Sequence, residues 1–192
     1  HQRTFVVEVM GRHCGYLPLM AAVAGGADYV FTPEDPVGQG WQDDLAEHLR
    51  LGREAGRRES IVLVAEGAHD RDGNELSTQL IADTIEEYTG EDARVTILGH
   101  VQRGGTPSAY DRWMSTLLGY AAVQEILAST GEDEPVILGV RRNRITRVPL
   151  MKAVHDTRAV KDLIAAGDYA AAQASRGSSF SSMVGINQIL ST

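Results

Sequence analysis

The chain has 192 residues, of which 43% are hydrophobic and 23% are charged, and its formal net charge is -8 at pH 7. This composition is typical of a globular protein with one sizeable core or two small ones, and it excludes disordered and fibrous classes. The negative net charge disfavours binding to nucleic acid and to anionic membranes, because both attract proteins with clustered Lys and Arg. We therefore predict no nucleic-acid partner and no membrane partner.

The cysteine content and the start of the chain bear on location and completeness. The single cysteine, Cys14, cannot form an internal disulfide, which favours a reducing compartment, and we predict a cytoplasmic location. No apolar run approaches the ~18 to 20 residues that a membrane helix needs. The chain begins with His1-Gln2-Arg3 instead of Met and runs directly into a strand pattern, so we expect a piece of a longer protein.

Short apolar runs alternate with helical stretches along the first hundred residues. The runs predicted as strands cover residues 5–10, 28–32, 60–65 and 95–98. Because such runs are nearly continuously apolar, they are typical of strands that are covered on both faces. The pattern therefore predicts an α/β fold with a mainly parallel sheet and helices on both faces.

Three helices are predicted within this region. The first covers residues 17–24 and ends at Gly25-Gly26, where a C-terminal cap belongs. The second has Trp41, Leu45 and Leu49 on one face. The third covers residues 76–89, and its predicted buried stripe consists of Leu80, Ile81, Ile85 and Tyr88.

The second half of the chain has a weaker pattern. We predict a long helix over residues 108–128, strands over 135–140 and 145–148, and a helix over 151–166. The tail from residue 176 has little pattern and is interpreted as a linker. The side chains expected to face inward from the long helix are Trp113, Leu117, Tyr120, Ala121 and Leu127.

The first candidate site is the segment Met10-Gly11-Arg12-His13-Cys14-Gly15-Tyr16, which leaves a strand and opens a helix. In α/β folds, ligands gather beyond the carboxyl ends of the strands, where helix N-termini attract anions. The glycines permit close approach of a ligand to the backbone, and the Arg12 guanidinium suits phosphate oxygens. The alternative is a tight turn with an exposed arginine.

The second candidate site contains Arg94, the segment Gly99-His100-Val101-Gln102-Arg103-Gly104-Gly105, and Asp111-Arg112. These residues run from a strand to the first turn of the next helix. Their basic groups are therefore expected to converge on one phosphate through charge-assisted hydrogen bonds. A lone His100 would be typical of an ordinary core or surface histidine, but beside Arg94 and Arg103 a binding role is favoured.

Glu66 is a third candidate, because it ends an apolar strand and precedes Gly67. A carboxylate at a strand end that faces a cleft accepts hydrogen bonds from sugar hydroxyls, which would select a carbohydrate. The alternative role is an ion-pair partner of a neighbouring arginine. Glu66 alone does not decide between these two roles.

Residues 7–12 with Gly15, the strand that ends in Glu66, and above all the segment 99–111 closely resemble the phosphofructokinase family. The resemblance runs in register over nearly the whole chain. It implies that the chain binds fructose 6-phosphate, with the sugar hydroxyls on Glu66. In the same way it implies that Met10, Gly11 and Arg12 lie against the sugar phosphate, and that His100 and Arg103 hold the 6-phosphate.

The resemblance also implies a shared site. Arg3 and Arg94 match family arginines that reach into the site of an adjacent subunit, so the partners would be neighbouring subunits of a homo-oligomer, expected to be a tetramer. Such sharing would couple sugar-phosphate affinity to assembly. Arg12 is also implied to act catalytically, because a cation near the transferring phosphoryl group offsets charge that develops during transfer.

The implied reaction transfers the γ-phosphoryl group of Mg-ATP to the 1-hydroxyl of fructose 6-phosphate, giving fructose 1,6-bisphosphate in glycolysis. The family's glycine-rich loops and its catalytic aspartate would lie before His1, and no G-x-x-x-x-G-K-[ST] sequence occurs. We therefore expect Mg²⁺ and ATP to bind mainly outside this chain, in which we predict no metal site. The chain alone is expected to bind the sugar phosphate at best, without turning it over. A pyrophosphate-dependent relative and a non-catalytic sugar-phosphate-sensing module remain as alternatives, although His100 before Val101 favours the ATP type.

The resemblance implies a two-lobe organisation. Residues 1–102 would form the sugar-phosphate-binding lobe, and 103–150 part of the nucleotide-binding lobe. Residues 151–175 would return to the first lobe, and 176–192 would be a linker or truncated connector. The segments 11–16 and 105–108 also resemble duplicated, eukaryote-type enzymes, and the retained set of arginines and histidine implies that the chain comes from their catalytic half.

Overall fold

The structure, a computed structural model, describes residues 3–190. It comprises two compact units, of which the first contains the residues up to 103 together with those from 163 onward. The second unit is Gly104–Asp162. In the described range, no helix combines the length and the apolar character needed to cross a membrane.

The first unit is built on a four-stranded parallel sheet in the order β2-β3-β1-β4. The central strand β1 pairs with β3 from Arg3 opposite Glu59 to Val9 opposite Ala65, and with β4 on its other side. Because all strands run in the same direction, they all end at one side of the sheet, which we call its carboxyl end. The strands are β1 (Arg3–Val9), β2 (Tyr29–Phe31), β3 (Glu59–Ala65) and β4 (Asp92–Ile97).

Helices cover both faces of this sheet, as the continuous apolar runs predict. On one face, the buried side chains of β1 and β3 pack with those of α2 and α3, including Leu45 and Ile81. On the other face, Val9 and Leu63 pack with Ala22 of α1. The helices are α1 (Tyr16–Gly25), α2 (Trp41–Glu54), α3 (Thr78–Thr89), and a short 3₁₀ helix (Gly99–Arg103).

The predicted buried face of α2 is confirmed, but that of α3 is partly wrong. Ile81 and Ile85 are buried, whereas Leu80 is 44% exposed and Tyr88 is 47% exposed. The helix instead turns Thr84 inward. Burial of this threonine is tolerated because its hydroxyl donates to the Leu80 carbonyl oxygen at 2.8 Å, so no polar group is left unpaired.

The second unit contains α4 (Ala109–Ala128) and the antiparallel hairpin β5 (Val136–Arg141) and β6 (Arg144–Pro149). The helix α5 (Leu150–Ala165) follows directly. Ser108 and Asp111 form a capping box at the start of α4, with the Ser108 Oγ accepting the Asp111 N–H at 3.2 Å.

The predicted inward face of α4 is wrong for its aromatic residues. Trp113 is 48% exposed and Tyr120 is 66% exposed, and Leu127 is also exposed. In the described part of α4, only Met114 is fully buried. A helix face is buried only where another element covers it, and the β5–β6 hairpin of the same unit covers a small part of α4.

The tail is helical, in contrast to the linker that its weak pattern predicts. Helices α6 (Tyr169–Ser175) and α7 (Ser178–Leu190) follow Asp168, whose side chain caps α6 by accepting the Ala171 N–H at 3.1 Å. Phe180 of α7 is buried and stacks with Tyr16 of α1, their ring centroids 6.5 Å apart. Tertiary contact therefore orders a segment that lacks a local signal, and the lobe boundaries drawn from the resemblance stay a prediction.

Replacing Ile81 by alanine tests the corrected face of α3. Because Ile81 is fully buried, we expect Ile81→Ala to lower the free energy of unfolding by about 2–5 kcal/mol. Leu80→Ala on the same helix is the control and should lower it by less than about 1 kcal/mol. Urea denaturation of both variants checks this, and equal losses would contradict the assignment.

Candidate functional site

The loop after β1 is held by the carboxylate that ends β3. Glu66 Oε2 accepts the N–H of Gly11 at 3.1 Å and the N–H of Arg12 at 2.9 Å. This contact forms because β1 and β3 are parallel neighbours, so their carboxyl ends lie side by side. Arg12 has a φ of 53°, a left-handed conformation that is uncommon for a residue other than glycine and that the two hydrogen bonds support.

The same hydrogen bonds determine the charge state of Glu66. The N–H groups of Arg12 and Gly11 stabilise the carboxylate and hold the pKa of Glu66 below its usual value, with the Arg12 guanidinium and His13 adding to the effect. Within residues 3–190, Glu66 Oε1 accepts no hydrogen bond. Glu66 is therefore an ionised anchor for the loop and retains one free acceptor oxygen.

Two glycines give this loop its close packing. Gly67 has a φ of 79°, and a Cβ there would lie 2.7 Å from the Arg12 carbonyl oxygen. A Cβ on Gly15 would lie 2.6 Å from the Cβ of Thr32. Both distances are shorter than a van der Waals contact of a carbon atom. Only glycine therefore fits at these two positions without a change in the backbone conformation of the loop.

The 3₁₀ helix after β4 brings the second motif to the same end of the sheet. Gln102 Oε1 accepts the Met10 N–H at 2.7 Å and so ties this helix to the end of β1. Arg12, His100 and Arg103 are exposed. In the described part of the chain, their side chains form no hydrogen bond or ion pair. The carboxyl end of the sheet thus carries three cationic or protonatable side chains without a hydrogen-bond or ion-pair partner, close to the ionised carboxylate of Glu66.

Arg3 and Arg94 lie further back along the strands, and Arg94 donates to Asp92, so the expectation that Arg94 converges with His100 and Arg103 on one phosphate stays a prediction. Arg3 begins β1 and Arg94 lies near the start of β4, opposite Phe5. At about 3.3 Å per residue, the start and end of β1 are roughly 20 Å apart. Asp92 lies between the two arginines, 3.2 Å from Arg94 Nη2 and 3.9 Å from Arg3 Nε.

Glu34 and Arg176 also support the loop, and the sequence analysis missed both. Glu34 is fully buried, and its Oε2 accepts the Gly15 N–H at 2.9 Å. Arg176 Nε donates to Glu34 Oε1 at 2.9 Å, and its Nη2 donates to the His13 carbonyl oxygen at 3.0 Å. Glu34 lies just after β2, as Glu66 lies just after β3. The same pattern, a carboxylate that follows a strand, could therefore have identified Glu34 from the sequence. Arg176 has no such signal, because it follows α6 and is remote in sequence.

The described residues do not provide a place for a metal ion. In the range 3–190, no group of three or more His, Cys, Asp and Glu side chains is arranged to hold one. Cys14, the free thiol of the loop, is half-buried, and burial raises its pKa. It is therefore held as a neutral thiol and is a poor nucleophile.

The parallel sheet and its loops define an α/β protein with a candidate anion-binding site at the carboxyl ends of its strands. This class is broad, and comparison with known proteins narrows it. The family model described as phosphofructokinase matches residues 1–126. The chain belongs to the phosphofructokinase family, and the family expected from its motifs is confirmed.

Individual relatives agree with this family. An ATP-dependent 6-phosphofructokinase from Aspergillus niger is 49% identical over 181 residues, which make up 94% of this chain and 23% of that protein. The crystal structure of Pichia pastoris phosphofructokinase in the T-state matches with a TM-score of 0.92 at 44% identity, over 100% of this chain and 20% of that chain. This chain therefore spans about a fifth to a quarter of the length of these relatives.

A more distant structure shares the fold alone. The pyrophosphate-dependent phosphofructokinase from Nitrosospira multiformis matches with a TM-score of 0.63 at 24% identity, over 79% of this chain and 40% of that chain. At this identity the likeness extends to the arrangement of helices and strands and not to the residues of the site.

Substituting Gly67 tests the close packing of the loop. Gly67→Ala should lower the free energy of unfolding by more than Gly73→Ala, because both residues have a positive φ but only Gly67 also faces a clash. The control, Gly73→Ala, should cost about 1–2 kcal/mol for the backbone conformation alone. Urea denaturation measures the difference, and shifts of the Gly11 and Arg12 amide resonances report the displaced loop. Equal losses and unmoved amides would refute the packing argument.

The lowered pKa of Glu66 predicts a pH-dependent contribution to stability. This contribution is present above the pKa of Glu66 in the unfolded chain, about 4.3, and is lost as the pH falls through the lower folded value. Glu66→Gln should therefore be less stable than the wild type at pH 6, and the gap should close towards pH ~3. Urea denaturation across this range measures the gap.

A matched control is Glu87→Gln. Glu87 is an exposed carboxylate on α3 that forms no hydrogen bond to another described residue. Its replacement should leave the pH dependence unchanged. A gap for Glu66→Gln that stays constant with pH would show that the negative charge does not hold the loop.

Proposed function

We propose that this chain supplies the fructose 6-phosphate site of an ATP-dependent phosphofructokinase. The observation that carries the proposal is the set of Arg12, His100 and Arg103, whose side chains form no hydrogen bond or ion pair with another described residue and which follow neighbouring parallel strands. Exposed cationic groups at strand ends are suited to the dianionic phosphate of a sugar ester. The reaction is transfer of the γ-phosphoryl group of Mg-ATP to the sugar 1-hydroxyl.

Each side chain has a proposed role in this reaction. His100 and Arg103 hold the 6-phosphate by charge-assisted hydrogen bonds. The free Oε1 of Glu66 accepts a hydrogen bond from a sugar hydroxyl, which selects a carbohydrate over a simple phosphate. The backbone at Met10 and Gly11 lies against the sugar, and Arg12 offsets negative charge on the transferring phosphoryl group.

The identity of the phosphoryl donor is supported by the relatives. Those named as ATP-dependent are up to 50% identical to this chain, whereas the pyrophosphate-dependent structures are 24% and 23% identical. That Mg²⁺ and ATP bind mainly outside this chain stays a prediction. A cytoplasmic location, predicted from the single Cys14, stays a prediction.

A neighbouring subunit is proposed to complete the site. Arg3 lies at the opposite end of the sheet from Arg103, and Arg94 lies partway along β4 with its side chain bonded to Asp92. Both are exposed and so accessible to a second copy of the chain. We infer that they serve the site of an adjacent subunit in a homo-oligomer, specifically a tetramer, which would make sugar-phosphate binding cooperative.

Titration of fructose 6-phosphate tests the site in a chimeric protein in which this chain replaces the matching segment of the Aspergillus niger relative, so that the rest of the enzyme and its neighbouring subunits are present. Arg103→Ala should raise the Kd about 10-fold or more, since a hydrogen bond to a charged group is worth about 1.5–3 kcal/mol. Arg50→Ala is the matched control, because Arg50 is exposed on α2 and is paired with Glu47 and Glu54. It should leave the Kd unchanged, as measured by titration calorimetry. An equal effect of both variants, or no binding by the wild type, would refute the site.

Activity is tested in the same chimeric protein. Turnover of fructose 6-phosphate with ATP, lost in Arg12→Ala, is the expected result. Turnover with pyrophosphate alone would instead support a pyrophosphate-dependent enzyme. Binding of the sugar phosphate without turnover by either donor would support a sensing module.

A further inference from the structure

The carboxylate of Glu34 is the most deeply buried charged group described at the carboxyl end of the sheet. It lies just after β2, and none of its surface reaches solvent. Both of its oxygens are occupied, Oε2 by the Gly15 N–H and Oε1 by Arg176 Nε. A buried carboxylate is destabilising unless it is paired in this way, so the position of each partner is strongly fixed by the other.

Arg176 joins this carboxylate to the binding loop. Its guanidinium is planar and presents several donors at fixed angles. One nitrogen binds Glu34, and another donates to the carbonyl oxygen of His13 at 3.0 Å. His13 is the residue that follows Arg12 in the loop, so Arg176 fixes the backbone next to the proposed catalytic side chain.

The loop is consequently held from two sides. Glu66 binds the amides of Gly11 and Arg12, at the start of the loop. Glu34 and Arg176 bind the amide of Gly15 and the carbonyl of His13, at its end. Arg12 lies between these anchors in a left-handed conformation, which persists only where the surroundings determine it.

The second set of anchors depends on the carboxyl-terminal helices. Arg176 lies between α6 and α7, and Gln173 of α6 donates to the Glu34 carbonyl oxygen at 3.1 Å. Phe180 of α7 is buried and stacks with Tyr16, the first residue of α1 and the one after the loop. These contacts bring two helices, more than 140 residues away in sequence, against the loop.

We propose that Arg176 and Glu34 are positioning residues that couple docking of α6 and α7 to the conformation of the loop carrying Arg12. Undocking the helices withdraws the guanidinium, leaves Glu34 buried without its partner and frees the end of the loop. Sugar-phosphate affinity then falls although no group that touches the ligand has changed. The effect on affinity rests on the proposed function, whereas the coupling between the helices and the loop does not.

Amide hydrogen exchange followed by NMR tests the coupling in four forms of the chain. In Arg176→Ala, we expect the amides of Cys14 and Gly15 to exchange about tenfold faster or more, the effect of losing a charge-assisted hydrogen bond. Arg176→Lys keeps the charge but cannot hold Glu34 and His13 together, so it should give a smaller acceleration. The amides of Val62 and Val64 in β3 report global unfolding in the same spectra.

Gln173→Ala is the matched control. It removes a nearby contact, from Gln173 of α6 to the same residue, Glu34, but leaves the hydrogen bonds of Arg176 to Glu34 and His13 intact. Loop exchange should therefore stay close to that of the wild type. Coupling is overturned if the loop amides, relative to those of β3, exchange no faster in Arg176→Ala than in Gln173→Ala. It is also overturned if Arg176→Lys leaves the loop unchanged.

Titration of the chimeric protein with fructose 6-phosphate, with and without each substitution, separates this inference from the proposed function. Arg176→Ala should raise the Kd about tenfold, and Gln173→Ala should not. If the wild type binds no fructose 6-phosphate, the proposed function fails, and the exchange data still decide the coupling. If the wild type binds and both variants bind equally well, the coupling to affinity fails while the proposed function stands.

Discussion

The hydrogen bonds from the Gly11 and Arg12 amides to Glu66 are the interaction on which the rest of the site depends. They place a basic residue at the end of one strand beside an acidic residue at the end of the next. A parallel sheet makes this possible without any special sequence, because all its strands end on the same side. The lowered pKa of Glu66 is the electrostatic result of the same contact.

Most of the fold could be predicted because the parallel strands are covered on both faces and are therefore continuously apolar. The errors have identifiable physical causes. The buried face of α3 differs from the predicted hydrophobic stripe and includes Thr84, which can be buried because its hydroxyl donates to a carbonyl oxygen of the same helix. The exposure of α4 and the folding of α7 depend on which other elements lie against them, which local sequence does not report.

Two parts of the candidate site could be located from the sequence because their residues are grouped in it, namely the loop from Met10 to Gly15 and the 3₁₀ helix with His100 and Arg103, and their binding roles stay a proposal. Closeness in sequence does not by itself bring side chains together, because Arg94 belongs to the same strand-to-helix segment but lies within β4 and donates to Asp92. The ion pair between Glu34 and Arg176 joins residues 142 positions apart and leaves no local signal. Polar residues that follow parallel strands are therefore worth examining even without a motif.

The separation of Arg3 and Arg103 at opposite ends of one sheet has a genetic consequence, if neighbouring subunits share sites. A copy defective at Arg3 and a copy defective at Arg103 would lack different halves of the pocket. Mixed in one dimeric contact, they would form one pocket with both defects and one pocket with neither. Two alleles that are each inactive alone would then restore partial activity when expressed together.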